Sequence, residues 1–177
     1  AVVEFPSVFV SYGVKGYLDD IYATLVVKLA DCKSFKLNQL WRDAADFQTL
    51  ATYEAAFGVR QVIWNTWPTP DLGFNWATSS GDTGATGINT RLTTAGSQVF
   101  SYLNAIPTAS PVPIQYAWTF LATPLDATTT PLLVDGSGNS LAAIHTFPDG
   151  RQDLMMTFDS NPNSTHALLL SYGVVNW

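Results

Sequence analysis

The chain has 177 residues, of which 47% are hydrophobic and only 12% charged, and its formal net charge is −6. This length allows one domain with a substantial core. Its eight lysines and arginines are scattered, which argues against nucleic acid as a partner because phosphate binding requires a basic patch. No apolar run reaches the roughly 20 residues that span a membrane. A surface poor in charge favours a secreted domain that handles polysaccharide.

The first third of the chain predicts an α/β unit. A β-rich run over residues 8–12 precedes a helix over residues 19–30, where apolar side chains recur at helical spacing. A second helix is predicted to end at Gly58, because glycine commonly follows the last helical residue. An apolar strand over residues 59–64 follows at once.

Residues 66–91 carry no clear periodicity and are rich in glycine and proline. Loops of this length are usually either functional or disordered. Disordered segments seldom carry several aromatic residues, and this one contains Trp67, Phe74 and Trp76. We therefore predict an ordered loop at one edge of the sheet.

The second half of the chain adds more strands than helices. The predicted elements are a helix over residues 93–104, strands over 114–123 and 131–134, a hairpin of 141–147 with 153–158, and a helix over 166–177. Together the elements predict an α/β fold in one domain, residues 1–177, with a mixed, mostly parallel sheet and helices on both faces. In such sheets ligands bind beyond the carboxyl ends of the strands.

The sequence offers little for catalysis. His145 and His166 have no metal-binding spacing, and there is no nucleophile elbow. Asp149, Asp153 and Asp159 are candidates for a glycosidase acid pair, although Asp149 precedes a glycine in an ordinary turn sequence. We predict no catalytic residue, no metal and no cofactor, and keep glycoside hydrolysis as the weakest alternative.

Two features bear on the cellular compartment. A single cysteine, Cys32, excludes an internal disulfide. A glycosylation sequon begins at Asn163, which is compatible with secretion.

The chain begins without a methionine or a signal peptide, and its last predicted helix runs to Trp177. We expect the chain to be a secreted or cell-surface piece of a longer protein.

Six tryptophans and seven tyrosines exceed what the core requires. The apolar face of a sugar stacks on an indole, while its hydroxyls need short polar partners. We predict Trp41, Trp118 and Trp177 to be core or interdomain contacts, and place a carbohydrate site on the two loops that follow the first strands. The predicted site comprises Tyr12, Arg60, Trp64, Trp67, Asp71, Phe74, Asn75 and Trp76. The alternative is that the tryptophans of residues 66–91 fold inward as a small core.

Three segments resemble the non-catalytic region of secreted fungal polysaccharide deacetylases that act on galactosaminogalactan. They are residues 53–68, 153–159 and 170–177, the last reading Leu-Ser-Tyr-Gly-Val-Val-Asn-Trp. The resemblance implies a carbohydrate-binding module with galactosaminogalactan as ligand, a biofilm-related role, and a metal-dependent deacetylase domain attached after Trp177. It places no catalytic residue in this chain. A structural or docking domain that binds no ligand of its own is the main alternative.

Overall fold

A seven-stranded sheet dominates the computed structural model, which describes residues 7–11, 44–105, 112–160 and 164–177. The predicted helix over 19–30 lies outside these residues, as do Tyr12, Cys32, Trp41 and Asn163. The strands are β1 (Ser7–Ser11), β2 (Arg60–Trp64), β3 (Ser79–Asp82), β4 (Ile88–Leu92), β5 (Val112–Ile114), β6 (Trp118–Leu121), β7 (Thr129–Asp135), β8 (Ser140–Thr146) and β9 (Gln152–Met156).

The strand order in the main sheet is β1-β2-β9-β8-β7-β4-β5. Among the strands of the described ranges, only β1 with β2 and β2 with β9 pair in parallel, so the prediction of a mostly parallel sheet is wrong. The reason lies in the turns. Short connections around Gly136 and Gly150 join β7 to β8 and β8 to β9, and such turns can join only antiparallel neighbours.

In the described residues the sheet is accompanied by the α-helices α1 (Ala44–Phe57), α2 (Thr94–Val99) and α3 (Thr165–Asn176). The prediction of helices on both faces is wrong, because α1 buries only Glu54 between residues 47 and 57 and forms no packed layer. Its end at Gly58 is confirmed, and that glycine has the left-handed φ of 64°. Among the described residues, no helix is long and apolar enough to cross a bilayer.

The pleat of the central strands separates two clusters of core residues. The larger one joins Val62, Leu154 and Met156 of the sheet to Phe100 and to residues of α3. The smaller one lies on the other face and consists of Ile63, Phe74, Ala122, Ala143 and Met155. Side chains from one strand therefore serve both clusters alternately.

A second sheet consists of two strands, β3 and β6. β3 lies in the segment 66–91, which was predicted as a loop, and β6 is part of the longer strand predicted over 114–123. The expected strand over 114–123 is split at Tyr116, whose φ is 52°, so that β5 and β6 enter different sheets. The Phe120 amide donates to the Thr157 carbonyl at 2.8 Å, which joins the small sheet to the segment after β9.

The hydroxyl of Tyr102 contacts α3 at two backbone groups. It donates to the Leu169 carbonyl and accepts from the Gly173 amide at 2.9 Å. A regular helical hydrogen bond would join those two backbone groups to each other. Tyr102 lies in a 3-10 segment, Ser101–Ala105, so this segment is coupled directly to the backbone of α3.

Candidate functional site

Two of the predicted aromatic residues are exposed, as the sequence suggested. Trp67 has 48% and Trp76 62% of its surface accessible. Trp64, the last residue of β2, is half-buried, and its ring meets Phe158 edge-on with centroids 5.9 Å apart. The alternative of a loop that buries its own tryptophans therefore fails for Trp67 and Trp76.

Phe74 is wrong as a site residue because it is fully buried in the smaller core cluster. Asn75 is exposed, but its amide holds the chain together by donating to Thr123 Oγ1 at 2.9 Å and to the Pro124 carbonyl at 3.1 Å. Asp71 is exposed on a 3-10 turn, Pro70–Leu72. Asp71 and Asn75 are therefore both exposed, but the Asn75 amide already has partners within the chain.

Arg60 is also wrong as a neighbour of the tryptophan loop. It begins β2, and its guanidinium lies 4.9 Å from the Trp177 ring centroid and donates to the Trp177 carbonyl. The four-residue step from Arg60 to Trp64 places the two ends of the strand about 13 Å apart. The expected alternative, a pair with Glu54, is not formed either, because Arg151 holds that position.

The structure instead groups Trp67 with Trp118 and Phe120, which are alternate residues of β6. Trp67 packs against Phe120 with ring centroids 4.8 Å apart and planes at 68°. Trp118 shares a face with Phe120, because alternate residues of a strand point the same way, and it is 48% exposed. We call Trp67, Trp118 and Phe120 the aromatic surface. The alternation Trp-Thr-Phe over residues 118–120 is the sequence signal for this surface, and in the structure Thr119 points inward and is buried.

Polar groups of β3 lie beside the aromatic surface. Ser80 stands directly opposite Phe120, and Asp82 opposite Trp118, so their side chains share its face. Asp82 accepts from the Gly84 amide at 2.7 Å, which fixes the carboxylate. Short acceptors next to exposed rings are the combination that sugar recognition requires.

The aromatic surface is positioned by the carboxyl ends of two parallel strands. β2 and β9 pair through Trp64 and Met156 at their last residues. The chain continues from β2 with the Thr66 amide donating to the Met156 carbonyl at 2.8 Å, and Trp67 follows. This is the end of a parallel pair at which ligand sites usually form.

A pocket of about 290 Å³ lies at the other end of the same two strands, between α1 and the sheet. Glu54 of α1 and Asp153 of β9 line it, and only 1% and 3% of their surfaces are accessible. Arg151 links the pocket to the β8–β9 turn. Its Nη1 lies 3.6 Å from Glu54 Oε2, and its Nε donates to Asp149 Oδ2 at 2.8 Å. We call Glu54, Asp153 and their surroundings the acidic pocket.

Burial dominates the electrostatics of the acidic pocket. Loss of hydration is the main reason that the pKa of Asp153 is raised to about 7, and the nearby charge of Glu54 contributes to the same shift. Burial also raises the pKa of Glu54, while Arg151 opposes that shift. Glu54 Oε1 and Asp153 Oδ1 have no hydrogen-bond partner among the residues that the structure describes. The pocket therefore holds two carboxyl groups whose charge is poorly compensated.

The three aspartates considered for glycoside hydrolysis do not meet. Asp149 and Asp153 lie near Arg151, whereas Asp159 accepts from the Trp118 amide at 2.7 Å beside the aromatic surface. His145 is a sheet residue, as expected, and burial lowers its pKa. Within the described ranges no group of three His, Cys, Asp or Glu side chains is placed to hold a metal ion.

The fold defines a class, a mixed-sheet α/β domain. Among solved structures, the crystal structure of Agd3, described as a novel carbohydrate deacetylase, shares this fold with a TM-score of 0.53 and 17% sequence identity. The similarity covers 66% of this chain and 18% of that one, so the matched segment spans less than a fifth of the length of Agd3. No family model matches the sequence, and the search of curated proteins finds no significant match.

Proposed function

We propose that this chain is a non-catalytic carbohydrate-binding module and that the aromatic surface is its site. The observation that carries the proposal is the grouping of Trp67, Trp118 and Phe120 beside Ser80 and Asp82. Two large rings in this group are about half exposed. Exposed aromatic groups of this kind usually mark a binding site rather than a chance feature of the surface.

The shape of the aromatic surface suits a chain-like ligand. Trp118 and Phe120 are about 7 Å apart along the strand, and Trp67 extends the row by packing on Phe120. The pairing of β6 with β3 and the edge contact of Trp67 fix the rings before any ligand arrives. Preorganisation of this kind lowers the entropy lost on binding.

We further propose galactosaminogalactan as the ligand, a secreted or cell-surface location, and an attached deacetylase domain in a longer protein. These points come from the sequence resemblance of residues 53–68, 153–159 and 170–177. A fold shared with part of a protein described as a carbohydrate deacetylase is consistent with them. On this proposal the domain itself neither cleaves nor deacetylates polysaccharide, with or without added Zn²⁺.

The test is a calorimetric titration with galactosaminogalactan oligosaccharides. Trp67→Ala and Trp118→Ala are expected to weaken binding, whereas Phe57→Ala, which removes an even more exposed aromatic ring from α1, should bind like the parent. Circular dichroism checks that each variant is folded. If both tryptophan variants fold and bind with the parent's affinity, the aromatic surface is not the site.

One observation favours a docking domain as second candidate. Leu168, Tyr172 and Val175 of α3 are 62%, 63% and 74% exposed, and their spacing puts them on one helix face. An apolar stripe of this kind fits a contact with another domain. For a docking domain, the oligosaccharide titration gives no heat, and hydrogen exchange of α3 is slower in the longer protein than in this chain.

A further inference from the structure

The acidic pocket contains carboxylate oxygens that the described part of the chain leaves without donors. Glu54 and Asp153 are almost completely buried, and one oxygen of each has no hydrogen-bond partner among the described residues. Both residues line a cavity large enough for a small group, about 290 Å³. Buried carboxylates without donors are costly, so this arrangement favours a ligand that brings donors and positive charge.

Arg151 does not satisfy this need. Its Nε donates to Asp149, and its Nη1 lies 3.6 Å from Glu54 Oε2, which is beyond a normal hydrogen bond. One guanidinium thus faces three carboxyl groups, those of Glu54, Asp149 and Asp153. When all three are ionised, the cluster retains a net negative charge.

We propose that the acidic pocket binds the protonated primary amine of a ligand, with Glu54 and Asp153 as acceptors. An ammonium group carries three donors on a compact charge and can serve both unpartnered oxygens. The side chains of Phe47, Leu72 and Phe147 also line the cavity, and they offer apolar contact to the carbon skeleton that carries the amine. This site is separate from the aromatic surface and does not depend on the function proposed for it.

A proton competes with the ammonium group for the same pair of carboxyls. The charged and titratable groups that face Asp153 are Glu54 from α1, Arg151 and Asp149 from the β8–β9 turn, and His145, its pairing partner on β8. Since the pKa of Asp153 is about 7, this carboxyl is mostly neutral at pH 6 and mostly ionised at pH 8. An alkylammonium group stays protonated over this range, so its affinity should rise about tenfold from pH 6 to pH 8.

The probe is n-butylammonium, titrated into the whole chain at pH 6 and pH 8 and followed by NMR of the side-chain carboxyl carbons. We expect saturable shifts at Glu54 and Asp153, an affinity about tenfold higher at pH 8, and no binding of n-butanol. Asp153→Asn should lower the affinity at least tenfold. Asp82→Asn, an exposed carboxylate beside the aromatic surface, is the matched control and should bind like the parent.

The pH comparison uses the unmodified chain, so it remains decisive if a pocket variant fails to fold. Equal affinities at pH 6 and pH 8, equal binding of butanol, or no saturable shift at Glu54 and Asp153 would each overturn the proposal. The last result also covers the case in which a basic side chain of the protein already fills the pocket. Trp118→Ala should leave butylammonium binding unchanged, so a failure of this proposal is distinguishable from a failure of the carbohydrate site.

Discussion

The aromatic surface and the acidic pocket lie at opposite ends of the same two parallel strands. Trp64 and Met156 pair at the carboxyl ends of β2 and β9, close to the aromatic surface, whereas Gln61 and Asp153 pair near the amino ends, in the acidic pocket. The two pairs are three residues, or about 10 Å, apart. One short piece of sheet therefore supports two regions of very different chemistry.

The difference between the regions lies in what covers each end. At the carboxyl end, β6 adds the rings of Trp118 and Phe120. The backbone groups of these two residues form hydrogen bonds with Asp159 and Thr157. At the amino end, Glu54 of α1 and Asp153 line the same pocket and are both buried, so charged groups lose water without gaining full compensation. The aromatic surface should therefore be insensitive to pH near neutrality, and the acidic pocket should respond to it.

The largest expected effect concerns the pH dependence of stability. The pKa of Asp153 is about 7 in the folded chain and about 3.9 when unfolded, so the folded state holds this proton more tightly. The resulting stability is fully present below pH 4 and is lost as the pH rises through 7. A shift of this size is worth on the order of 4 kcal/mol. Urea unfolding of the parent and of Asp153→Asn from pH 4 to pH 8 measures it.

The neutral amide of Asp153→Asn should make the variant more stable than the parent at pH 8 and about as stable at pH 4. Trp118→Ala serves as the comparison from the other region, and its stability curve should run parallel to that of the parent. Parallel stability curves for Asp153→Asn and the parent would show that folding does not raise the pKa of Asp153.

The next effect is the loss of carbohydrate affinity on removing one ring. Trp67→Ala and Trp118→Ala should each cost about 1–3 kcal/mol, by analogy with base stacking on aromatic side chains, or roughly 5- to 150-fold in affinity. The loss should be the same at pH 6 and pH 8, as calorimetry with oligosaccharides can check. A strong pH dependence would mean that the acidic pocket takes part in binding the polysaccharide.

A smaller effect is expected for Arg60→Ala. Removing the guanidinium deletes its contact with the Trp177 ring and its hydrogen bond to the Trp177 carbonyl. We expect a loss of about 1 kcal/mol, seen as a fall of about 2–4 °C in Tm. Arg60→Lys, which keeps the charge, should lose less. If Arg60→Ala binds oligosaccharide more weakly than the parent, Arg60 is part of the carbohydrate site after all.

The smallest effect is expected for Trp76→Ala. Trp76 is the more exposed of the two loop tryptophans and contacts no other aromatic ring in the described ranges. A side chain that must be ordered on binding contributes less than a fixed one, so the loss should be about twofold. A loss as large as that of Trp67→Ala would extend the binding site beyond the aromatic surface.

Local signals in the sequence predicted the local structure. Gly58 marked the end of α1, the apolar run after it marked β2, and Pro148-Asp149-Gly150 marked the turn between β8 and β9. Exposure of Trp67 and Trp76 followed from their polar, glycine-rich surroundings. Each of these inferences needed only neighbours in the chain.

Long-range pairing could not be read in the same way. β3 has the sequence Ser-Ser-Gly-Asp, which has low strand propensity and becomes a strand only because β6 pairs with it. Burial of Phe74 depends on a bridge to Pro124. The acidic pocket joins Glu54 to Asp153, two residues that no sequence spacing relates. The parallel order of β1, β2 and β9 is likewise a property of the assembled sheet.

The hydroxyl of Tyr102 couples the last turns of α3 to a segment that is distant in the chain. Gly173 permits this, because a Cβ there would lie 2.1 Å from Phe100 Cδ1 and 3.1 Å from the Tyr102 hydroxyl. A group inserted into a helical ladder bends the helix axis. Removing that hydroxyl would leave the Leu169 carbonyl and the Gly173 amide to pair with each other, as in a regular helix, so we expect the last turn of α3 and the contact of Trp177 with Arg60 to shift in Tyr102→Phe.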